Sequence, residues 1–266
     1  MHFSLASNVS AIYSVEQANE MERYLDNNGT KLWSITTGTG VPLILCNGGP
    51  GCNDYLGPVA EMIEDLCAVV RFEQRGCGRS DWDKHYDLET TVSDIEFVRK
   101  AYGFNKVIVG GHSAGVGIAL AYALKYPDVI LGIVGISGGC IINDSKWHKV
   151  YRENLERYGE NSGGREFKSD PDVNMIGNAT WHDFIANPML PHDISRLDIP
   201  AFFINAGNDI RPNWPTVQLA HLIKNSEYVE ITDAGHYIWV THPDELRQKL
   251  RTAVEQITTQ QVHPVG

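Results

Sequence analysis

Short apolar segments alternate with helical patterns through most of this 266-residue chain. Each segment is too short for a helix and too continuous for a strand with one exposed face, which is typical of a parallel strand buried on both sides. Alternating strands and helices predict an α/β fold with a mostly parallel central sheet and helices on both faces. The predicted buried strands are residues 42–46, 68–72, 106–110, 130–136, 201–205 and 228–231.

Other patterns predict the elements around these strands. Residues 30–36 alternate between polar and apolar, and the Asn28-Gly29 step before them suits a tight hairpin. Helices are predicted over 91–102, 114–126 and 243–257, the last with proline at its first turn. The chain therefore opens with an antiparallel pair of strands and closes with a helix.

The segment 140–196 interrupts the alternation. This segment lies between two predicted strands and is much longer than an ordinary loop. Insertions of this length at strand ends are usually lids or binding elements. We therefore predict one catalytic core, formed by 1–139 and 197–266, with 140–196 as a lid. No internal repeat or low-complexity segment is found.

One amphipathic helix is predicted inside this lid, beginning after Asn143 or Asp144 as its N-cap. Its expected inner face points at an apolar substrate and turns two carboxylates, Glu153 and Glu156, toward solvent. The expected substrate-binding residues on that face are Trp147, Tyr151, Asn154 and Tyr158, with Leu155 beside them.

Charge restricts the partners that this chain can have. The net charge is −11, whereas nucleic acids and anionic membranes are bound by basic surfaces. No apolar run is long enough to span a bilayer. A small molecule or short peptide is the expected partner, and the oligomeric state is not predicted.

The cysteines predict a reducing compartment, and hence the cytoplasm. Their number is odd, and their spacing matches neither a disulfide framework nor a metal site, so no metal or cofactor is expected. The first ten residues lack the cationic stretch of a signal peptide. The cysteines are Cys46, Cys52, Cys67, Cys77 and Cys140.

The strongest chemical signal is Gly111-His112-Ser113-Ala114-Gly115, placed between a predicted strand and a predicted helix. A strand-to-helix turn this sharp strains the backbone of its central residue, and flanking glycines avoid collisions there. The turn holds the serine hydroxyl out at the end of the strand. Ser113 is therefore the predicted nucleophile.

A serine hydroxyl needs a base, and the base needs a group to orient it. His236 follows the last predicted strand and Asp209 follows the strand before it, so both reach the sheet edge where Ser113 lies. They are the predicted base and acid, with Asp233 as the rival acid. Because the imidazole must be neutral to act, activity is expected to rise with pH near 6.5.

Acyl transfer also needs donors aimed at the developing oxyanion. The backbone N–H of Ala114, the residue after the nucleophile, is one predicted donor. The second is expected from the glycine-rich loop after the first buried strand, where missing side chains allow close approach. Gly49 is the predicted donor and Gly48 the reserve.

Five motifs carry a resemblance to a known family. In chain order they are NGGPG (47–51), EQRGCGRS (73–80), GGHSAG (110–115), GND (207–209) and DAGH (233–236). Together they resemble the prolyl iminopeptidase branch of the α/β-hydrolases, whose members carry HGGPG, DQRG-x-GRS and GGSWG. The resemblance implies the α/β-hydrolase fold, the triad and removal of N-terminal proline from short peptides.

The chain also departs from that branch. Asn47 stands where His is usual, Glu73 stands where Asp is usual, and the lid is shorter than the lids that bind a substrate ammonium. The leading hypothesis is therefore hydrolysis of a small ester, lactone or amide through an acyl-enzyme on Ser113. The more specific alternative is release of N-terminal proline from short peptides.

Two further hypotheses use the same residues. The first is a ligand-binding or signalling member of the fold without turnover, because a fold does not fix a function. The intact Ser113, Asp209 and His236 argue against it. The second is a lyase or haloperoxidase on the same fold, which the sequence leaves open.

Overall fold

The structure is a computed structural model that describes residues 20–160 and 166–262, with the side chains of 261 and 262 left out. The expectation about a signal peptide concerns the first ten residues and lies outside this range. Within the described residues, no helix has the length and apolar character needed to cross a membrane.

The sheet has the predicted architecture. Its strands lie in the order β1-β2-β4-β3-β5-β6-β7-β8, with β1 and β2 antiparallel to their neighbours and the remaining pairs parallel. The predicted α/β fold with a mostly parallel sheet is confirmed. The strands are β1 (Met21–Asn27), β2 (Thr30–Thr37), β3 (Val41–Cys46), β4 (Cys67–Phe72), β5 (Val107–His112), β6 (Ile130–Ile136), β7 (Pro200–Ala206) and β8 (Asn225–Ile231).

Helices surround the sheet, and the three predicted in the core are present. The described helices are α1 (Gly57–Ala60), α2 (Leu88–Ala101), α3 (Ala114–Lys125), α4 (Ser145–Tyr158), α5 (Pro171–Ile185), α6 (Leu190–Ser195), α7 (Trp214–Leu222), α8 (Ile238–Thr241) and α9 (Pro243–Val262). Asp87 is the N-cap of helix α2, and its carboxylate accepts the N–H of Thr90 at 2.8 Å. That bond satisfies one of the donors left open at a helix start.

The hairpin between β1 and β2 turns at the predicted Asn28-Gly29 step. Both residues have positive φ, 55° and 96°, as a two-residue turn that matches the strand twist requires. The hairpin adds two antiparallel strands to one edge of the parallel sheet.

The core lies on both faces of the sheet because the buried strands alternate their side chains. In β3, Ile44 packs in the cluster that holds α2 and α3, whereas Leu43 and Leu45 pack on the opposite face with α1 and α9. Each fully buried aliphatic side chain stabilises the fold by about 1.5–3 kcal/mol. The carboxyl ends of the parallel strands are thereby fixed along one edge.

The five cysteines lie in the described part of the chain and form no disulfide. Burial raises the pKa of the Cys46, Cys67 and Cys77 thiols to about 12. Burial likewise raises the pKa of Cys140 to about 11.

The insertion holds more structure than the sequence predicted. Helix α4 agrees with the predicted helix, and Asp144 is its N-cap, accepting the N–H of Trp147 at 2.9 Å. Helices α5 and α6 were not predicted. Asp170 is the N-cap of α5 and accepts the N–H of Asp172 at 3.1 Å, and Pro171 suits the first turn of the helix.

The insertion docks on the EQRGCGRS segment. The N–H of Gly78 donates to the carbonyl of Lys168 at 2.6 Å, and the N–H of Asp170 donates to the carbonyl of Gly76 at 2.8 Å. The ammonium of Lys84 lies 2.6 Å from the Asp170 carboxylate. These contacts hold the start of α5 against the core.

Candidate active site

Ser113 occupies a strained turn between β5 and α3. Its φ is 56°, in the left-handed region that L-residues rarely adopt, and its N–H donates to the carbonyl of Ile136 at 3.0 Å. A side chain on Gly115 would collide with the backbone of Cys46, and one on Gly111 would collide with the backbone of Gly115. The turn therefore requires glycine on both sides of the serine.

Asp209 and His236 meet at the same edge, after β7 and β8. The Nδ1 atom of His236 lies 2.6 Å from Oδ2 of Asp209, and both side chains are buried. The other carboxylate oxygen accepts the N–H of Arg211 at 2.9 Å. A carboxylate at Nδ1 keeps the proton there and leaves Nε2 as the basic nitrogen.

That Nε2 atom of His236 is buried and has no hydrogen-bond partner within the described residues. The Ser113 hydroxyl is therefore not bonded to it in this structure. Catalytic hydrogen bonds are often long before substrate binds and tighten in the complex. An unpaired basic nitrogen is ready to accept a proton.

Burial lowers the pKa of His236 below its ordinary 6.5, and this effect exceeds the opposing effect of the Asp209 charge. For Asp209, burial acts to raise the pKa, but the charge and hydrogen bond of His236, together with Arg211, lower it overall. At neutral pH the pair is therefore a carboxylate and a neutral imidazole. This is the protonation state that general-base catalysis needs.

A buried network connects this imidazole to the glycine loop. The Nδ1 atom of His112 lies 2.7 Å from the Tyr55 hydroxyl, and its Nε2 lies 3.1 Å from the backbone oxygen of His236. The Tyr55 hydroxyl accepts the N–H of Gly48 at 2.8 Å, so its own proton is available for His112. All three hydrogen bonds form together when His112 is neutral and carries its proton on Nε2. Its Nδ1 then accepts from the Tyr55 hydroxyl, and its Nε2–H donates to the backbone oxygen of His236.

The rival acid lies elsewhere. Asp233 is exposed, and its carboxylate accepts from the side chain of Asn208 at 3.5 Å. The structure brings Asp209, and not Asp233, against the imidazole of His236.

The glycine loop after β3 packs against the nucleophile. A Cβ on Gly48 would lie 3.0 Å from the Cβ of Ser113, and the peptide bond between Gly49 and Pro50 is cis. The N–H of Gly48 is already used by Tyr55. In the described part of the chain, the N–H groups of Gly49 and Ala114 have no acceptor, so both can donate to a substrate oxygen.

Glu73 is a fully buried carboxylate beside this loop. It accepts the N–H of Asp54 at 2.9 Å and the N–H of Arg79 at 2.5 Å, and it pairs with the Arg79 guanidinium at 2.7 Å. The missing side chain of Gly78 leaves the space that the carboxylate fills. A side chain at position 78 would therefore displace the Glu73 carboxylate.

The helix α4 residues predicted to bind substrate separate in the structure. Trp147 lines a cavity together with Ser113, and Tyr151 stacks on Trp147 with ring centroids 5.3 Å apart. Tyr158 instead borders a second cavity, of about 220 Å³, together with His236. Only Trp147 of these three lies at the cavity of the nucleophile.

Asn154 supports the acid loop, because its side chain donates to the backbone oxygen of Asp209 at 3.3 Å. Glu153 and Glu156 are exposed, and Glu153 lies 3.8 Å from Lys149. The prediction that these two carboxylates face solvent is confirmed. Leu155 is also partly exposed, at 39%.

The cavity beside Ser113 has a volume of about 100 Å³. The lining residues that sequence analysis missed include Trp181 of α5 and Arg211. Arg211 is the only charged residue among the described residues that line it, and its guanidinium contacts Glu160 at 2.8 Å and Asp209 at 3.4 Å. Its position two residues after the acid was a signal that could have indicated it.

Comparison with known proteins agrees with this geometry. A family model described as alpha/beta hydrolase fold matches residues 41–166. A proline iminopeptidase of Saccharolobus solfataricus is 38% identical over 113 residues, covering 41% of this chain and 36% of that protein. A proline iminopeptidase of Neisseria gonorrhoeae is 38% identical over 175 residues, covering 54% of each. The chain spans about a third to about half of the length of these relatives.

Solved structures share the fold at low sequence identity. E-2-(acetamidomethylene)succinate hydrolase superposes with a TM-score of 0.72 at 16% identity, covering 89% of this chain and all of that one. A thermophilic esterase from Thermogutta terrifontis gives a TM-score of 0.72 at 21% identity, covering 91% of this chain and all of that one. The expected resemblance and the α/β-hydrolase fold are both confirmed.

Proposed function

We propose that this chain, which has the α/β-hydrolase fold and resembles the proline iminopeptidases over part of their length, hydrolyses a small ester, lactone or amide through an acyl-enzyme on Ser113. The observation that carries this proposal is the buried pair of Asp209 and His236, 2.6 Å apart, with the second imidazole nitrogen unpaired. A neutral imidazole oriented in this way serves as a general base.

In the first step the Ser113 oxygen attacks the substrate carbonyl while Nε2 of His236 takes the hydroxyl proton. The imidazolium that forms is stabilised by Asp209, and it then protonates the leaving alcohol or amine as the carbon–heteroatom bond breaks. In the second step His236 takes a proton from water, the hydroxide attacks the acyl carbon, and the acid product leaves Ser113 protonated again.

The developing oxyanion receives hydrogen bonds from the N–H groups of Ala114 and Gly49. Both lack an acceptor within the described residues, and preorganised donors of this kind each contribute about 3 kcal/mol to transition-state stabilisation. In this proposal residues 140–196 act as the lid, and 1–139 and 197–266 form the catalytic core.

The second candidate is release of N-terminal proline from short peptides, which is favoured by the 38% identity to proline iminopeptidases. Such a substrate brings an ammonium group that must be paired. The described residues that line the Ser113 cavity include no carboxylate and one guanidinium, Arg211. The lining therefore favours an uncharged substrate over an N-terminal amine.

A fluorophosphonate probe tests the nucleophile directly. We expect the wild-type protein to be labelled and Ser113→Ala to lose all labelling, whereas Ser145→Ala, at an exposed serine on α4, keeps it. Comparing rates on an uncharged aryl ester and on a prolyl arylamide then separates the two candidates. Persistent labelling of Ser113→Ala would contradict the acyl-enzyme, and faster turnover of the arylamide would favour the peptidase.

A further inference from the structure

Two polar atoms without hydrogen-bond partners belong to residues that line the Ser113 cavity. They are Oγ of Ser137 and Oδ1 of Asn205, each buried and unpaired within the described residues. Ser137 is 2% exposed and Asn205 is 3% exposed. A buried polar atom without a partner costs about 1–3 kcal/mol, so two beside one cavity indicate a ligand that satisfies them.

The orientation of the Asn205 amide is fixed by a chain of hydrogen bonds. The amide nitrogen of Asn213 donates to the backbone oxygen of Ala206 at 2.9 Å and to Glu230 at 2.9 Å. Both partners are acceptors, so the side-chain oxygen of Asn213 must face Asn205 and accept from its nitrogen, 3.0 Å away. The atom of Asn205 left without a partner is therefore its oxygen, which requires a donor.

Ser137 lies beside the nucleophile. Its φ is 46°, and its N–H donates to the carbonyl of Ile204 at 2.9 Å, which fixes the residue at the end of β6. The next residue, Gly138, packs so closely that a side chain there would collide with the backbone of Ser113. The Ser137 hydroxyl can donate or accept.

The charge of the cavity selects against ions. Arg211 carries its only charge among the described lining residues, and Asp209 and Glu160 neutralise that charge. The volume of about 100 Å³ accommodates several water molecules or a small organic group. The matching ligand is neutral and carries both a donor and an acceptor.

We propose that this cavity is an acyl-group subsite that recognises an uncharged amide or hydroxyl, with a ligand N–H or O–H donating to Asn205 and a ligand oxygen accepting from the Ser137 hydroxyl. The preferred substrates are then esters or amides of acylamino or hydroxy acids. This inference rests on the proposed function for its kinetic test, but the binding test below does not.

Three 4-nitrophenyl esters provide the kinetic test, with uncatalysed hydrolysis subtracted. The N-acetylglycyl ester has a carbonyl and an N–H, the 4-oxopentanoyl ester keeps the carbonyl without the N–H, and the pentanoyl ester has neither. We expect kcat/KM to fall at least about tenfold from the first to the second, because the oxygen of Asn205 then stays unpaired. Equal values for the first two esters would overturn the subsite.

Two variants test whether the preference for the N-acetylglycyl ester arises in the Ser113 cavity. Ser137→Ala should reduce the ratio of N-acetylglycyl to pentanoyl kcat/KM at least about threefold. Asn225→Ala, at an exposed asparagine on β8, should leave that ratio unchanged. An unchanged ratio in Ser137→Ala would remove Ser137 from the proposed subsite.

Binding of neutral amides to the Ser113→Ala protein tests the subsite independently of the acyl-enzyme reaction. By calorimetry, N-acetylglycinamide should bind at least about fivefold more tightly than 4-oxopentanamide, whether or not any ester is turned over. Equal affinities would refute the subsite even if fluorophosphonate labelling had supported the nucleophile. Tighter binding without labelling would keep the subsite and reject the proposed acyl-enzyme.

Discussion

The Nε2 atom of His112 lies 3.1 Å from the backbone oxygen of His236, and the two rings are 4.5 Å apart. The residue before the proposed nucleophile thus holds the loop that carries the proposed base. Through Tyr55 the same imidazole reaches the N–H of Gly48 in the glycine loop. Three segments from distant parts of the sequence are therefore positioned by one buried side chain.

Replacing His112 tests this positioning. His112→Ala should lower the free energy of unfolding by about 3 kcal/mol, since it leaves a cavity and unpaired groups, and should lower kcat about tenfold. Urea unfolding and steady-state kinetics measure the two effects. His112→Gln, which can place an N–H near the His236 carbonyl, should recover part of kcat, and a kcat equal to that of the Ala variant would argue against positioning.

The choice of acid is tested by a matched pair of substitutions. Asp209→Asn should lower kcat by about 10³-fold to 10⁴-fold, because an amide no longer holds the proton on Nδ1 of His236. Asp233→Asn, at an exposed carboxylate, should leave kcat within about twofold. The assignment of the acid would be reversed if the second variant were the inactive one.

The pH dependence follows from the direction of the His236 shift. The neutral imidazole is the active form, so activity is full above the folded-state pKa and is lost as the pH falls through it. Because burial lowers the pKa of His236, the midpoint of kcat/KM should lie below pH 6.5, rather than at the ordinary value expected from the sequence. A midpoint at or above pH 6.5 would show that the Asp209 charge outweighs burial.

Trp147 is the aromatic residue of α4 that lines the nucleophile's cavity. Trp147→Ala should lower kcat/KM for a neutral ester by tens of fold, since losing about 100 Å² of apolar contact costs about 2 kcal/mol. Glu153→Gln, on the solvent side of the same helix, is the control and should change nothing. If Glu153→Gln or Glu156→Gln instead abolished activity on a prolyl substrate, α4 would bind an ammonium.

The sequence predicted the elements whose signals are local. Buried strands such as β6 are continuous apolar runs, and the turn at Ser113 is defined by its own glycines and flanking elements. The positions of Ser113, Asp209 and His236 directly after predicted strands also indicate that the three residues share one edge of the sheet.

Features that depend on packing between distant segments were missed. Helix α5 mixes apolar and polar residues without one clear face, and its start is fixed by Asp170, whose partners Lys84 and Tyr86 lie far away in the sequence. Similarly, the role of Asn205 follows from hydrogen bonds to Asn213 and onward. Hydrogen bonds of this kind join residues of different elements, so no local pattern in the sequence predicts them.

The reactivity of the buried thiols described above can be used to measure how often the folded core opens. A thiol with a pKa of about 12, such as Cys46 or Cys67, carries almost no thiolate at neutral pH, and only the thiolate reacts with alkylating agents. Both residues lie on buried strands, and their side chains pack in the apolar clusters on opposite faces of the sheet, so a reagent can reach them only after the core opens. The rate of alkylation at these two cysteines therefore measures opening of the core, and no additional cysteine has to be introduced.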